Sequence, residues 1–128
     1  LCLNLGLTLS RFDRDGTPAN DRVQPAHMAL WKAVVRAVLL HLARRPGREL
    51  LVILWGGKAQ EAFDQMGVEA AASAAGQGGR LAVVRRAHPA ADGPTGNTGA
   101  APFLQSQDDP YTQANNALTA MGAAQVHW

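Results

Sequence analysis

The sequence predicts an α/β fold built around a parallel sheet. Residues 50–54 are five apolar residues in a row, and Gly56 and Gly57 follow them closely. An apolar run without alternation is typical of a strand covered on both faces, and apolar residues at helical spacing come after the glycines. We therefore predict a strand, a tight turn and a helix. Ligands of open α/β sheets bind at the carboxyl ends of strands, so this turn is a candidate wall of a site.

Length and composition predict one globular domain. The chain has 128 residues, 47% hydrophobic and 17% charged, with a net charge of +2 that neither demands nor excludes a nucleic-acid partner. No apolar run approaches the roughly 20 residues of a membrane span, so we expect no membrane partner. The single cysteine excludes an internal disulfide, and the histidines have no metal-ligand spacing. We expect a cytoplasmic monomer without metal or cofactor.

The amino-terminal residues 1–9 carry leucine at every odd position. This period of two predicts a strand with one better-buried face. Asn4 lies among these leucines, where an unsatisfied amide costs about 1 to 3 kcal/mol, so it is bound either to neighbouring backbone or to a ligand. Because the chain starts at Leu1, inside a strand and without a charged leader, we expect a missing upstream part and no secretory signal.

The middle of the chain predicts one long helix and a second strand. Apolar residues recur at spacings of three and four over residues 26–42, after a polar connection. Residues 67–79, rich in alanine and glycine, predict the end of a helix and a loose connection. A short strand at residues 81–84 then places His88 at a carboxyl end, where a hydrogen-bonding loop residue is as good an interpretation as a catalytic one.

The last part of the chain predicts a long loop and a final helix. Residues 90–109 hold too little apolar surface to pack tightly, so we expect a contact or lid region. Asp109 is a candidate N-cap and Pro110 a candidate first helical residue, with the helix ending at Gly122. We expect the tail to pack through Trp128.

Three separated segments resemble, in order, the uracil-DNA glycosylases. Residues 1–9 resemble the strand with the uracil-recognising asparagine, in which Leu-Leu-Leu-Asn is followed after two residues by Leu-Thr. Residues 54–60 are similar to the family's Leu-Leu-Trp-Gly-Ser-x-Ala-Gln stretch, and residues 87–89 to the start of its His-Pro-Ser-Pro-Leu loop. The end of the chain is also similar: the positions that match the family's last helix and its final Pro-Ile-Asp-Trp are Tyr111, Ala114, Asn115, Leu118, Gly122 and Trp128. The resemblance spans the chain but covers only the later part of a full-length member.

This resemblance implies a three-layer αβα fold with a short parallel sheet, here an incomplete single domain over residues 1–128. It also implies excision of uracil from DNA in base excision repair. Asn4 would bind the base, since its amide can donate to uracil O4 and accept from N3–H. His88 would be catalytic by hydrogen-bonding O2 as charge grows on the departing uracil.

The implied partner is uracil-containing DNA, single- or double-stranded, with the target nucleotide flipped out of the stack. Small residues let backbone amides approach phosphates closely. The residues expected to contact DNA are Gly56, Gly57, Pro89, Ala90, Ala91 and Asp92.

The sequence departs from the family at the catalytic aspartate. In the family this residue lies in a Gly-Gln-Asp-Pro-Tyr-His motif upstream of the asparagine strand, so we expect the motif to belong to the missing upstream part. Residues 107–111 resemble that motif but open the last predicted helix. In the family a leucine of the loop after the histidine inserts into the base stack. This chain has Ala91 and Asp92 in that region instead, and an aspartate there repels phosphates. We therefore expect weak activity or none.

Two other functions remain open from the sequence. The chain could be a non-catalytic DNA-binding or protein-interaction module that keeps the glycosylase fold. It could also be a nucleotide-phosphate-binding α/β domain that uses Gly56, Gly57 and Lys58, although its phosphate-loop motif is incomplete.

Overall fold

The computed structural model describes residues 23–89 and 109–128. Two strands, β1 and β2, form a parallel pair in which Leu50 lies opposite Leu81 and Trp55 lies opposite Arg86. The elements in chain order are α1 (Val23–Ala43), β1 (Leu50–Trp55), α2 (Gly57–Met66), α3 (Val68–Ala74), a 3₁₀ turn (Gly78–Arg80), β2 (Leu81–Arg86) and α4 (Pro110–Ala120). The predicted α/β class is confirmed. The predicted strand at residues 1–9 and most of the predicted loop, residues 90–108, lie outside the described residues.

One face of the strand pair carries a helical layer. Leu50, Val52 and Leu54 alternate along β1, so they share one face, and all three belong to the core beneath the helices. The other buried members of this core come from α1, α2 and α3; they are Val35, Leu40, Ala43, Phe63, Met66, Val68 and Ala72. The helix α1 packs against α3 and α2. The three helices therefore form one continuous layer.

The last helix covers the other face. It packs on both β2 and β1, and its buried residues are Pro110 and Ala114. Val84 is also buried but does not belong to the core under α1, α2 and α3, as expected for a strand residue whose side chain faces the other side of the sheet. The described residues therefore form three layers, with helices on both faces of two parallel strands.

The helix α1 is long and apolar enough to cross a membrane by length and composition, with a mean hydropathy of 1.3 over Ala26–Ala43. The core helix of a soluble protein meets the same criteria. Here Val35, Leu40 and Ala43 are buried against the neighbouring helices.

The structure corrects one of the expectations and adds detail to two others. Residues 67–79 were expected to end one helix, but Gly67 adopts φ +64° and begins a separate helix, α3. Helices pack on both faces of β1, as the apolar run predicts, but only Leu54 is buried and the residues before it are half-buried. Trp128 packs on Tyr111, as expected, with 5.0 Å between the ring centroids, and 59% of it stays exposed.

Candidate functional site

A backbone hydrogen bond joins the carboxyl ends of β1 and β2, next to their last paired residues. The N–H of Gly56 donates to the carbonyl of Arg86 at 2.8 Å, and α2 begins at the next residue. The predicted strand, turn and helix are confirmed here. Since the strands are parallel, the residues that follow them, Gly56 and His88, emerge at the same edge of the sheet.

Gly56 and His88 lie in direct contact. Gly56 has φ +89° and ψ 156°, a backbone region that is essentially restricted to glycine. A Cβ built on it would lie 3.2 Å from the His88 Cβ and 3.6 Å from Cδ2 of the imidazole. Glycine is therefore required at this position for two reasons: the backbone conformation of the turn and the close approach of His88. At Gly57, by contrast, an added Cβ would meet no atom within 4 Å.

Gln60 fixes the strand end that leads to His88. Its Nε2 donates to the carbonyl of Arg86 at 2.9 Å, so that carbonyl accepts hydrogen bonds from both Gln60 and Gly56. The backbone N–H of Gln60 also donates to the carbonyl of Gly56 at 3.2 Å. Gln60 belongs to the segment, residues 54–60, that is similar to the glycosylases, but the sequence predicted no role for it. Gln60 lies one helical turn after Gly56, and this spacing indicates that its side chain can reach the end of the strand and form such a hydrogen bond.

A cavity of about 450 Å³ runs along the whole of β1. Every residue of the strand lines it, together with Val35, Leu39 and Leu42 from α1 and Lys58, Ala59, Phe63 and Met66 from α2. His88 also lines it, at the carboxyl end of the strand. Trp55 is 38% exposed at that end, so an aromatic ring, an ammonium group and an imidazole border the same opening.

Lys58 is the cationic residue that lines this opening among the described residues. It lies exposed in the first turn of α2, whereas Arg86, at the end of β2, is half-buried and its charge helps to lower the pKa of Asp109. The neighbouring Arg85 points to the acidic side chains Asp64, at 2.7 Å, and Glu69, at 3.3 Å. Over residues 23–89 and 109–128, no group of three His, Cys, Asp or Glu side chains could hold a metal ion.

The predicted site residues divide into two groups. Gly56, Gly57, His88 and Pro89 are described, and the first three lie around the turn at the end of β1. Pro89 is half-buried directly after the exposed His88. Asn4, Ala90, Ala91 and Asp92 lie outside the described residues, so the predicted convergence of Asn4 with His88 stays a prediction.

Asp109 caps α4. Its Oδ1 accepts the backbone N–H groups of Tyr111 and Thr112, each at 2.8 Å, and Oδ2 accepts the Thr112 hydroxyl. The side-chain hydrogen bond from Thr112, followed by the backbone hydrogen bonds, lowers the pKa of Asp109 below its ordinary value of 3.8. The predicted N-cap is confirmed. This carboxylate is engaged in capping, as expected if residues 107–111 are not a displaced catalytic motif.

Comparison with known proteins gives no relative. No protein-family model matches the chain, and no curated protein or solved structure is significantly similar to it.

Proposed function

We propose that this chain is a uracil-DNA glycosylase-like protein that recognises uracil in DNA and, as this sequence stands, hydrolyses the N-glycosidic bond weakly or not at all. The observation that carries the proposal is the contact between Gly56 and His88 at the carboxyl edge of the parallel strands. Two of the three sequence segments on which the resemblance depends thereby meet in space. Their meeting supports the resemblance because the segments are more than twenty residues apart in the sequence.

In the proposed reaction the imidazole of His88 acts on the leaving group. Cleavage of the glycosidic bond leaves negative charge on uracil, and a hydrogen bond to O2 that strengthens as this charge develops lowers the barrier. His88 is exposed at the opening of the cavity, which leaves its ring accessible to a flipped nucleotide. Gln60 and Gly56 are positioning residues, because they fix the backbone at Arg86 and hence the start of the His88 loop.

Asn4 is the proposed base-reading residue. A neutral amide presents a donor to O4 and an acceptor to N3–H of uracil, while cytosine offers an amino group and an unprotonated nitrogen at those positions. A site built on this pair discriminates strongly, because the wrong base leaves its polar groups unpaired. Lys58, exposed at the same edge, supplies positive charge for the DNA backbone.

Weak or absent hydrolysis is proposed because, within residues 23–89 and 109–128, no carboxylate lines the cavity beside His88 and could take the place of the water-activating aspartate. A histidine that hydrogen-bonds uracil O2 stabilises the leaving group, and the attacking water still requires a separate general base. The carboxylate of Asp109 is bound to the first turn of α4 by three hydrogen bonds, so it is a poor substitute.

The experiment measures free uracil and DNA binding with the same preparation. The chain is incubated in excess over single-stranded DNA with one uracil, and the released base is quantified beside a thymine-containing control strand. We expect little or no release, together with binding that favours the uracil strand and weakens with salt. His88→Ala serves as the matched variant, since its side chain is exposed and the fold should tolerate the change.

Each outcome bears on a distinct part of the proposal. Release of uracil at the rate of a complete enzyme would refute the inactivity. Salt-dependent binding that ignores uracil would refute base recognition and favour a non-catalytic DNA-binding module, the alternative that Asp92 and the missing leucine support.

A further inference from the structure

The connection from α1 to β1 lies at the opposite edge of the sheet from Gly56 and His88. It comprises residues 44–49 and leads into the amino end of β1, whereas Gly56 and His88 follow the carboxyl ends of the strands. A strand of six residues is about 20 Å long, so the two edges are about that far apart. A group bound at this connection would therefore be separate from the candidate site.

Positive charge is concentrated at this edge. Arg36, His41, Arg44, Arg45 and Arg48 form what we call the basic cluster, and all five are exposed. The first four border one open depression, so they share a surface, and Arg48 follows them on the connection to β1. Residues 36–48 contain four arginines and no acidic residue, although the whole chain has a net charge of only +2. The charge of the chain is therefore unevenly distributed.

The side-chain carboxylates of the described residues are engaged away from this cluster. Glu49, which adjoins it in the sequence, pairs with Arg80 at 2.8 Å. Each of the others has its partners elsewhere in the molecule; they are Glu61, Asp64, Glu69 and Asp109. Within the described ranges, no ion pair joins a carboxylate to the basic cluster.

Stabilisation of a helix terminus explains only part of the basic cluster. Cations near the carboxyl end of a helix are favourable, which accounts for the three members at the end of α1. Arg48 lies after the turn at Gly47, which has φ +66°. The Nε of Arg36 donates to the carbonyl of Met66 at 3.0 Å. That hydrogen bond holds the guanidinium by one nitrogen and leaves the two terminal nitrogens to donate to a ligand.

The composition of the basic cluster indicates a partner that carries phosphates. Guanidinium groups bind phosphates through paired N–H donors, and four of the five members are arginine. Protein interfaces and membrane anchors need apolar or aromatic residues beside the charges. The exposed large apolar residues of the described chain all lie outside residues 36–48; they are Leu30, Val34, Trp55, Val126 and Trp128. A group of arginines without such neighbours favours the backbone of a nucleic acid.

We propose that the basic cluster binds the phosphate backbone of DNA, as a second contact surface at the edge of the sheet opposite His88. The inference rests on the proposed function only for DNA as the partner, and it does not require recognition of uracil. Contacts to phosphates carry no sequence information. The basic cluster would therefore hold a DNA strand of any sequence, and the opposite edge would read the base.

The test measures the salt dependence of DNA binding by the full chain. Fluorescence anisotropy follows binding to the uracil strand and to the thymine strand over a range of salt concentrations. The parent is compared with a triple Gln variant, Arg44→Gln with Arg45→Gln and Arg48→Gln, and with a triple Lys variant at the same positions. Each lost phosphate contact on a single strand lowers the slope of log K against log salt by about 0.7. We expect a slope lower by about 2 in the Gln variant and the parent slope in the Lys variant, because lysine keeps the charge.

Two single variants control for net charge and for folding. Lys32→Gln removes one charge from α1 outside the basic cluster, so it should leave the slope unchanged. Arg48→Gln removes one charge at a position outside any helix, so it cannot disturb the end of α1. It should lower the slope by about 0.7 on both strands, which keeps the proposal testable if the triple Gln variant folds poorly.

The outcomes separate this proposal from the proposed function. Equal slopes for the parent and both Gln variants would overturn it, and so would no binding of the parent to either strand. Binding to vesicles of phosphatidylcholine and phosphatidylserine that the triple Gln variant loses, with its DNA slope unchanged, would overturn it in favour of a membrane surface. Equal binding to the uracil and thymine strands would refute only the proposed function, because the basic cluster is expected to act alike on both.

Discussion

The side chain of His88 lies so close to the backbone of Gly56 that a Cβ at Gly56 would stand 3.2 Å from the His88 Cβ and 3.6 Å from Cδ2 of the imidazole. This contact joins the turn after β1 to the loop after β2. It makes the geometry of the histidine depend on a residue more than thirty positions away, and it yields the first prediction.

Gly56→Ala should destabilise the protein and displace His88. The variant must hold a left-handed backbone at φ +89° and also push the histidine away, and such strain costs about 1 to 3 kcal/mol. The free energy of unfolding from urea denaturation measures this cost. Gly57→Ala is the control: it adds a methyl group into open space at the first residue of α2. It should be neutral or stabilise by up to about 1 kcal/mol, and equal losses in the two variants would contradict this interpretation.

Gln60→Ala should loosen the strand end before His88. It removes the hydrogen bond from Nε2 to the Arg86 carbonyl, a loss of about 0.5 to 1.5 kcal/mol, and it should change the NMR signals of the His88 ring. Gln65→Ala on the same helix is the matched control, because Gln65 makes its hydrogen bonds at the exposed surface with Lys32 and Glu61. Its effect should stay within about 0.5 kcal/mol. A His88 ring that responds alike to both changes would show that Gln60 is no positioning residue.

Asp109 should contribute to loss of stability in acid. Its pKa is lower in the folded protein than the ordinary 3.8, chiefly because of the Thr112 hydroxyl hydrogen bond. The resulting stabilisation is complete above the unfolded-state pKa and is lost as the pH falls through the folded-state value. Asp109→Asn keeps a good N-cap without a titrating group, so its melting temperature should match the parent at pH 7 and fall less below pH 4.

Asp109→Ala completes this comparison. It removes the cap itself, so it should lower the melting temperature at pH 7, where Asp109→Asn does not. Parallel loss of stability in acid by the parent and the Asn variant would show that protonation of Asp109 is not a cause.

Local patterns predicted most of the described fold. The apolar run before Gly56, the helical spacing over residues 26–42 and the cap at Asp109 each depend on neighbours in sequence, and each appears where expected. The separate helix α3 was missed because alanine and glycine carry little periodicity. The left-handed conformation of Gly67, which divides α2 from α3, has no distinctive signal in the sequence.

The site was predictable only in outline. The rule for carboxyl ends of parallel strands placed Gly56 and His88 at one edge, and the structure brings them into contact. The same rule says nothing about which side chains support the edge, so the hydrogen bond from Gln60 was not foreseen. The half-buried state of β1 was missed because burial depends on the neighbours of a strand as well as on its own residues.

The measurement that tests the central claim most directly is an NMR titration with a single-stranded oligonucleotide containing one uracil. It follows the side-chain amide of Asn4 and the imidazole of His88 in the same samples, with the thymine oligonucleotide as the control. We predict that both groups shift with one dissociation constant, and that Asn4→Ala removes the His88 response to uracil. Shifts with different constants, no shift at either group, or an equal response to thymine would contradict a shared uracil site.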